Sequence, residues 1–262
     1  MVGRPLALVT GATSGIGRAF AVDYARRGSD VMIVARTKEA LDLLAQELSA
    51  RYSIACHVCV ADLSTVDGVL SMLRDCDAIA TPDAIVVNAG VTRAASVGSS
   101  QTKDVEDLMT LLALGPMLAL EHFAPRMVER RSGDIIVVSS IASVVPMPKS
   151  AVYAAAKSAV TSYARSVHRE LRDTGVRVVA VNPGYVRTGL HRAAGLAHLE
   201  RVVPKWLWLE PTAVVRSARR GLDRGRDSVI PGVVYRVSRP FLSSSAAQAM
   251  WRRIVRPKRI TR

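Results

Sequence analysis

Residues 6–17 read LALVTGATSGIG, a short apolar run that leads into a glycine-rich turn. An apolar-periodic segment follows and ends near Gly28, so the order is strand, turn and helix. Gly11, Gly15 and Gly17 let the backbone turn tightly and approach a pyrophosphate, whose charge the unpaired N–H groups at the helix start would meet. A flexible turn is the alternative, and the spacing is neither G-x-G-x-x-G nor that of a P-loop. In this setting the stretch favours dinucleotide binding.

The rest of the chain alternates apolar runs with helical patterns. Further strands are predicted at 30–35, through Val60, and at 84–87, 135–138 and 176–181. No linker rich in Pro, Gly or Ser divides the 262 residues. We therefore expect one α/β domain, a doubly wound parallel sheet of the Rossmann type with helices on both faces. This domain spans residues 1–232, and a basic extension covers 233–262.

Three side chains between residues 140 and 157 form a candidate proton donor. Ser140 follows a buried strand, so its hydroxyl is expected at the carboxyl end of the sheet, where such sheets bind ligands. Tyr153 and Lys157 are four apart and share a face if the segment is helical. The ammonium would then lower the pKa of the phenol toward working pH. An ordinary solvated helix is the alternative for the Tyr–Lys pair alone.

The end of the second predicted strand indicates which dinucleotide would bind. Ala35 and Arg36 stand where a carboxylate would bind the two ribose hydroxyls and repel a 2′-phosphate. Arg36 can instead make charge-assisted bonds to that phosphate, and Lys38 lies nearby. NADP(H) is therefore the expected cofactor, with a solvated surface Arg as the alternative.

Small or polar residues end three more strands, as a crevice beside a flat cofactor requires. They are Asp62-Leu63, Asn88-Ala89-Gly90 and Asn182-Pro183-Gly184. For Asp62 a helix cap is the alternative, because the next helix begins close by.

Taken together, these residues resemble the short-chain dehydrogenase/reductase family from about Leu6 to Pro231. The matching motifs are Thr10-Gly11-x-x-x-Gly15-x-Gly17, Asp62-Leu63, Asn88-Ala89-Gly90, Ser140 thirteen before Tyr153, Tyr153-x-x-x-Lys157 and Pro183-Gly184-x-Val186-x-Thr188. A looser likeness, in residues 36–41 and 229–232, is to a branch with 3-ketoacyl and steroid reductases.

The resemblance implies roles for individual residues. Tyr153 would be the acid and base, Ser140 would orient a substrate carbonyl, and Lys157 would lower the pKa of Tyr153 while binding the nicotinamide ribose. Val186 and Thr188 would hold the carboxamide. The implied cofactor-binding residues are Gly11, Thr13, Ser14, Gly15, Ile16, Gly17, Arg36, Asp62, Leu63, Asn88, Ala89, Gly90, Tyr153, Lys157, Pro183, Gly184, Val186 and Thr188. The partner would be a small-molecule carbonyl or alcohol, and the assembly a homodimer or homotetramer.

One position departs from the family pattern. The family usually has an Asn in the fourth helix that holds a water in the proton relay behind the Lys. Counting back from Ser140 puts Leu112 there.

The expected activity is NADPH-dependent reduction of a ketone or aldehyde. A non-catalytic or impaired dinucleotide-binding protein is the alternative that Leu112 raises.

Composition and cysteine spacing bear on four other classes: disulfide-stabilised, metal-binding, secreted or membrane-spanning, and nucleic-acid-binding proteins. The three cysteines are Cys56, Cys59 and Cys76, which form no disulfide framework, and Cys56-x-x-Cys59 lies on a predicted strand that would send the two thiols to opposite faces. Buried thiols are favoured and no metal site is expected. No signal peptide or membrane span is expected, so a cytoplasmic protein is predicted. The net charge of +14 comes without a nucleic-acid recognition motif, and no nucleic-acid partner is expected.

Two late segments carry further expectations. Residues 189–210 are rich in apolar side chains and are predicted to form a substrate lid over a bulky hydrophobic ketone such as an acyl, polyketide or steroid-like compound. Core or subunit packing of the tryptophans is the alternative. The tail from Tyr235 to Arg262 has eight cations and no acidic residue. It could contact an anionic membrane surface or an acidic carrier, or be a solvated terminus packed on the domain.

Overall fold

The chain forms one parallel sheet of seven strands, ordered β3-β2-β1-β4-β5-β6-β7. The computed structural model describes residues 3–92, 94–190 and 197–242, and for 238–242 the backbone alone. The strands are Leu6–Thr10 (β1), Asp30–Ala35 (β2), Cys56–Val60 (β3), Ala84–Val87 (β4), Gly133–Val138 (β5), Val176–Val181 (β6) and Ser228–Val229 (β7). The predicted doubly wound fold is confirmed.

Helices connect the strands in the predicted alternation. They are Gly15–Arg26 (α1), Lys38–Tyr52 (α2), Val66–Asp77 (α3), Thr102–Met109 (α4), Gly115–Glu129 (α5), Ala151–Glu170 (α6), Leu199–Val202 (α7), Pro211–Asp223 (α8) and Val233–Leu242 (α9). A π-helical turn, Thr110–Leu114, joins α4 to α5.

Two hydrophobic cores lie on the two faces of the sheet. Alternate residues of β1 point to opposite faces, so Leu8 packs with α3, α5 and α6, whereas Val9 packs with α1, α2 and α8. The largest fully buried side chains are Phe123 on the first face and Phe20 on the second. Each contributes roughly 1.5–3 kcal/mol by burial.

The cysteines follow the same division. Cys59 packs in the first core and Cys56 against the second, as the strand period predicts. Burial raises the pKa of Cys56 to about 11. Within the described residues, no group of three or more His, Cys, Asp or Glu side chains could hold a metal ion.

One helical stretch, Thr102–Glu129, is long and apolar enough to cross a membrane by length and composition alone. Core helices of globular proteins have the same properties. Leu120, Phe123 and Met127 of this stretch are packed in the first core.

The strand order places the crevice. β1 lies between β2 and β4. Strands up to β3 are therefore added on one side of β1 and later strands on its other side, so the direction of strand addition reverses between β1 and β4. Open parallel sheets bind ligands outside the carboxyl ends of the strands at such a reversal. Thr10 and Val87 end the two strands on this edge.

Candidate active site

The glycine turn after β1 is fixed by two close approaches. Gly15 has a φ of +54°, and a Cβ there would lie 2.6 Å from Cγ2 of Thr188. A Cβ on Gly17 would lie 2.1 Å from the Gly11 carbonyl oxygen. Both positions therefore exclude a side chain. Gly17 allows α1 to pack on the turn, and Gly15 allows the Thr188 loop to cross it.

Asn88 holds this turn against the end of β4. Its side-chain amide donates to the carbonyl oxygens of Thr10 at 2.9 Å and Gly11 at 3.3 Å. In return, the Thr10 hydroxyl accepts hydrogen bonds from the backbone N–H groups of Asn88 and Ala89, at 2.8 and 3.0 Å. The Asn88 amide thus holds the glycine turn to the end of β4. Thr10, which was not among the predicted site residues, forms hydrogen bonds with Asn88 through both its carbonyl oxygen and its hydroxyl.

A cavity of about 480 Å³ runs along the carboxyl edge of the sheet. It is lined by all the predicted site residues except Gly17, which packs behind the turn. The lining also includes residues that the motifs did not identify: Val34, Ala35, Thr37, Ala61, Val91, Leu111, Val138, Ser139, Gly189 and Leu190. Most of them flank a motif residue at a strand end, which is the signal that could have found them.

Ser140 and Tyr153 meet in this cavity. Ser140 follows β5, and its hydroxyl accepts from the Ala142 N–H at 3.1 Å and is hydrogen-bonded to the Tyr153 phenol. Burial raises the pKa of Tyr153 above its ordinary value, and the hydrogen bond with Ser140 lowers that pKa by less. The expectation that the pKa would be lowered was therefore wrong in direction, because desolvation of the phenolate outweighs the polar contact.

Lys157 lies one turn after Tyr153 on α6 and is only 5% exposed. Its ammonium donates to the Val138 carbonyl oxygen at 2.9 Å. Burial lowers the pKa of Lys157 to about 8. The buried ammonium is thus hydrogen-bonded to the last residue of β5, and it loses its proton at a lower pH than an exposed lysine does.

A buried polar network holds the backbone of Lys157. The Ser139 hydroxyl donates to the Lys157 carbonyl oxygen at 3.0 Å, and the Thr161 hydroxyl contacts the Ser139 hydroxyl at 2.6 Å. The Asn182 amide oxygen accepts from Thr161 at 3.1 Å and from Ser143 at 3.0 Å. These contacts join α6 to the ends of β5 and β6, and the sequence motifs did not predict Thr161 or Ser143.

Arg36 lies exposed at the other end of the cavity, beyond β2. Lys38 is paired with Asp42 at 2.7 Å, whereas no ion pair is formed by Arg36 in the part of the chain that the structure describes. The carboxylate of Asp62 lies near the Arg36 guanidinium. Burial opposes ionisation of Asp62, but hydrogen bonds with Ser64 and the charge of Arg36 hold its pKa below the usual range.

Asp62 also orders the turn before α3. Its carboxylate accepts hydrogen bonds from the Ser64 N–H at 3.1 Å and the Ser64 hydroxyl at 2.8 Å. The capping residue is Thr65, whose hydroxyl accepts from the Gly68 N–H at 3.0 Å. Asp62 therefore both lines the cavity and supports the start of a helix.

The segment after β6 returns to the sheet edge through Leu209. Val186 and Leu209 form a parallel bridge, and the Leu209 N–H donates to the Tyr185 carbonyl oxygen at 2.8 Å. Between them, residues 189–190 line the cavity. Leu196, which belongs to the predicted lid, lies outside the described residues.

The apolar side chains of this segment have different environments. Leu199 and Val203 are buried, and Trp208 packs on Tyr185 with ring centroids 5.3 Å apart. Trp206 is 66% exposed. The packing alternative thus describes Trp208, whereas Gly189 and Leu190, in the described part of the predicted lid, line the cavity.

Leu112 is fully buried in the π-helical turn, beside Gly90 and Lys157. A Cβ on Gly90 would lie 3.0 Å from Cδ2 of Leu112 and 3.9 Å from Nζ of Lys157. The side chain that replaces the family Asn is thus near the ammonium, and it offers methyl groups there instead of hydrogen bonds. The interruption by a π-helical turn is a feature often found at functional sites.

Residues 5–197 match the short chain dehydrogenase family. This stretch is more than half of the chain, so the protein belongs to the short-chain dehydrogenase/reductase family. It is an oxidoreductase of a family that uses NAD(P), as its motifs predicted.

Individual relatives are similar to this chain at moderate identity. The 3-oxoacyl-[acyl-carrier-protein] reductase of Synechocystis is 30% identical over 217 residues, which cover 82% of this chain and 87% of that protein. The very-long-chain 3-oxoacyl-CoA reductase of Anas platyrhynchos is 31% identical over 190 residues, which cover 71% of this chain and 61% of that protein. A short-chain dehydrogenase from Sphingobium yanoikuyae in complex with NADPH superposes with a TM-score of 0.82 at 27% identity, covering 98% of each chain.

Proposed function

We propose that this protein is an NADPH-dependent reductase of a ketone or aldehyde in a bulky apolar substrate, with Tyr153 as the general acid. The observation that carries the proposal is the cavity that holds Ser140, Tyr153 and Lys157 at one end and Arg36 at the other. A nicotinamide and a 2′-phosphate would need these two sets of groups at the two ends of one dinucleotide.

The residues along the cavity fit such a dinucleotide. A side chain is excluded at Gly15 by its positive φ and by Thr188, so no side chain of this residue covers the backbone N–H groups at the start of α1, which could meet a pyrophosphate. Arg36 offers its guanidinium to the 2′-phosphate, with Lys38 already paired to Asp42. Lys157 would bind the ribose next to the nicotinamide.

When bound, NADPH would supply the hydride. The raised pKa of Tyr153 keeps its phenol protonated at neutral pH, as an acid at the start of a reduction must be. Tyr153 would give its proton to the carbonyl oxygen as negative charge develops there. Ser140 would donate a second hydrogen bond to that oxygen, and the two hydroxyls together would stabilise the oxyanion.

Apolar side chains beside these polar groups support a bulky apolar substrate. Val91, Leu111 and Leu190 line the cavity together with Tyr153. Pockets of this kind bind by apolar contact and orient by a few polar groups. The names of two relatives, both reductases of 3-oxoacyl compounds, support the acyl class among those expected.

The test is a single turnover followed by NADPH absorbance or fluorescence in a stopped-flow instrument, with a panel of ketones and aldehydes. We expect oxidation of NADPH by bulky apolar ketones and loss of the signal in Tyr153→Phe, by roughly 10²–10⁴-fold in rate. Tyr163→Phe is the matched control, because Tyr163 lies on the same helix and its hydroxyl binds Glu121. Faster reduction of small hydrophilic carbonyls would contradict the proposed substrate class.

A second candidate function is dinucleotide binding without turnover, which Leu112 favours because it provides no hydrogen bond next to Lys157. In that case NADPH binds, no carbonyl is reduced even once, and Tyr153→Phe changes nothing measurable. The single-turnover trace separates the two functions.

A further inference from the structure

Two segments near the cavity leave large apolar side chains in solvent. On α9, Val233, Val234 and Val237 are 65%, 42% and 66% exposed. In the segment after β6, Val202 and Trp206 are 44% and 66% exposed. We call these five residues the apolar rim. Single exposed apolar residues are common, but a group of them rimmed by polar residues marks an interaction surface.

The two parts of the apolar rim belong to one structural unit. The Tyr235 hydroxyl, on the buried side of α9, donates to the Leu207 carbonyl oxygen at 2.8 Å and accepts from the Tyr185 N–H at 3.0 Å. A Cβ on Gly232 would lie 3.2 Å from Leu209. The start of α9 is thus fixed to the residues that follow Trp206.

This unit also adjoins the cavity. Leu209 pairs with Tyr185 and Val186, and Val186 lines the cavity together with Gly189 and Leu190. A surface that binds the apolar rim would therefore lie close to the part of the cavity that Val186, Gly189 and Leu190 line.

Cations accompany the apolar rim. Arg201, Lys205 and Arg236 are exposed on the same two segments, and Glu200 is the acidic residue among positions 199–209 and 233–237. The sequence beyond continues this balance, with seven more Arg or Lys residues after Arg236 and no Asp or Glu up to residue 262. Residues 243–262 lie outside the described part of the chain, so their contribution here is their charge alone.

The combination of charge and exposed apolar area selects the occupant. A second copy of this chain, paired through the same surface, would bring like charges together. An acidic protein would satisfy the cations, but it would need an apolar patch of its own to cover Trp206 and the valines, and it is one outcome of the test below. An anionic bilayer matches both, since Trp and aliphatic side chains enter the interface while Lys and Arg meet the lipid phosphates.

We propose that the apolar rim docks this protein on an anionic lipid bilayer. Trp206, Val233 and Val237 would enter the headgroup region, with Arg201, Lys205 and Arg236 facing the lipid phosphates. The cavity mouth would then face the membrane, from which apolar substrates could be drawn. The proposal goes beyond the proposed function and does not depend on which carbonyl is reduced.

The test uses the full chain and two kinds of vesicle, one of phosphatidylcholine and one of phosphatidylcholine mixed with phosphatidylserine. We expect co-sedimentation with the mixed vesicles at low salt, at least about tenfold weaker with neutral vesicles or at high salt. Binding to neither kind of vesicle, or equal binding to both, would overturn the proposal.

A pair of double variants shows whether the apolar rim is the contact. Trp206→Ser with Val237→Ser should weaken vesicle binding at least roughly tenfold. Leu43→Ser with Val66→Ser is the matched control, because these residues are 69% and 42% exposed on α2 and α3, away from the rim. Circular dichroism and Tm confirm that both variants are folded.

Three outcomes of this comparison refute the proposal. Unchanged vesicle binding by the Trp206 and Val237 variant would assign the contact to the basic tail. Loss of a dimer in sedimentation equilibrium would assign the rim to a second copy. Retention of an acidic carrier protein without any binding to vesicles would assign it to a protein. Reduction of a water-soluble ketone by the native protein needs no vesicles, so failure of the docking proposal and failure of the reductase proposal are distinguishable.

Discussion

Replacing Leu112 by Asn tests how protons return to Tyr153. Each reduction takes one proton from Tyr153, and a new proton must come from solvent past Lys157. Leu112 Cδ2 and Lys157 Nζ lie 3.0 and 3.9 Å from one point, the place of a Cβ on Gly90. An Asn amide at 112 would therefore put hydrogen-bonding atoms beside the ammonium, where Leu112 puts methyl groups.

The variant should be less stable but folded. Leu112 is fully buried and packs with Leu108, Ala113 and Ala156. Truncating a buried Leu costs about 2–5 kcal/mol, and an amide without partners adds ~1–3 kcal/mol. Domains are stable by roughly 5–15 kcal/mol, and one kcal/mol lowers Tm by about 2–4 °C at this size. We expect Tm to fall by about 6–30 °C, so the kinetics are measured well below the new Tm.

The assay compares the first turnover with the steady state. Tyr153 can deliver its first proton without resupply, so the single-turnover rate and the NADPH Kd should stay within about twofold. Steady-state kcat should rise about tenfold, a small part of the ~10²–10⁴ that proton transfer contributes. Leu112→Ala removes the methyl groups without adding an amide. Leu111→Asn adds an amide at a neighbouring position that lines the cavity.

Two results would refute the reasoning. A folded Leu112→Asn protein with unchanged kcat would mean that proton resupply does not pass this position. An equal gain in Leu112→Ala would mean that removing bulk, and not adding a hydrogen bond, raised the turnover.

The remaining predictions concern cofactor choice, the glycine turn and pH. Arg36→Ala should weaken NADPH binding about 10- to 100-fold with little change for NADH, because it removes a charge-assisted bond of ~1.5–3 kcal/mol. As a control, Arg51→Ala should change neither the NADPH Kd nor the NADH Kd. Gly17→Ala should weaken NADPH binding at least about tenfold and destabilise the fold by roughly 1–3 kcal/mol, because its Cβ would lie 2.1 Å from the Gly11 carbonyl oxygen; an unaltered Kd and Tm would contradict this. Burial lowers the pKa of Lys157 from 10.5 to about 8, so the unfolded chain binds more protons between these values and the cost of burying the ammonium disappears as pH rises through that window. In urea unfolding, the stability of the native protein relative to Lys157→Met should therefore rise from pH 8 to 10.5, and a flat difference would show that Lys157 is not desolvated.

Much of the candidate site could be predicted from the sequence because its signals are local. A glycine turn between a strand and a helix limits the backbone wherever it occurs, and a helix brings Tyr153 and Lys157 to neighbouring turns by its period alone. Apolar runs indicate parallel strands whose carboxyl ends share one edge, so Ser140 and Arg36 could be assigned to the same crevice from the sequence, and both line the same cavity.

Other features depended on contacts between residues far apart in the chain. Whether the pKa of Tyr153 rises or falls depends on how completely the fold desolvates the phenol, and burial outweighed the polar contact. The Asn88 amide is used by the backbone of Thr10 and Gly11, which are 78 and 77 residues away. No local pattern records a partner at that separation.

The sequence by itself determined the fold, the family and many of the residues that line the cavity, because strand and helix periods, glycine positions and motif spacing are properties of short stretches. Only the tertiary structure decided which groups those residues contact. It placed the Lys157 ammonium against the Val138 carbonyl oxygen, packed Trp208 on Tyr185 and left Trp206 in solvent. The physical reason is that burial and hydrogen bonding depend on distances through space, which are set when distant segments pack together.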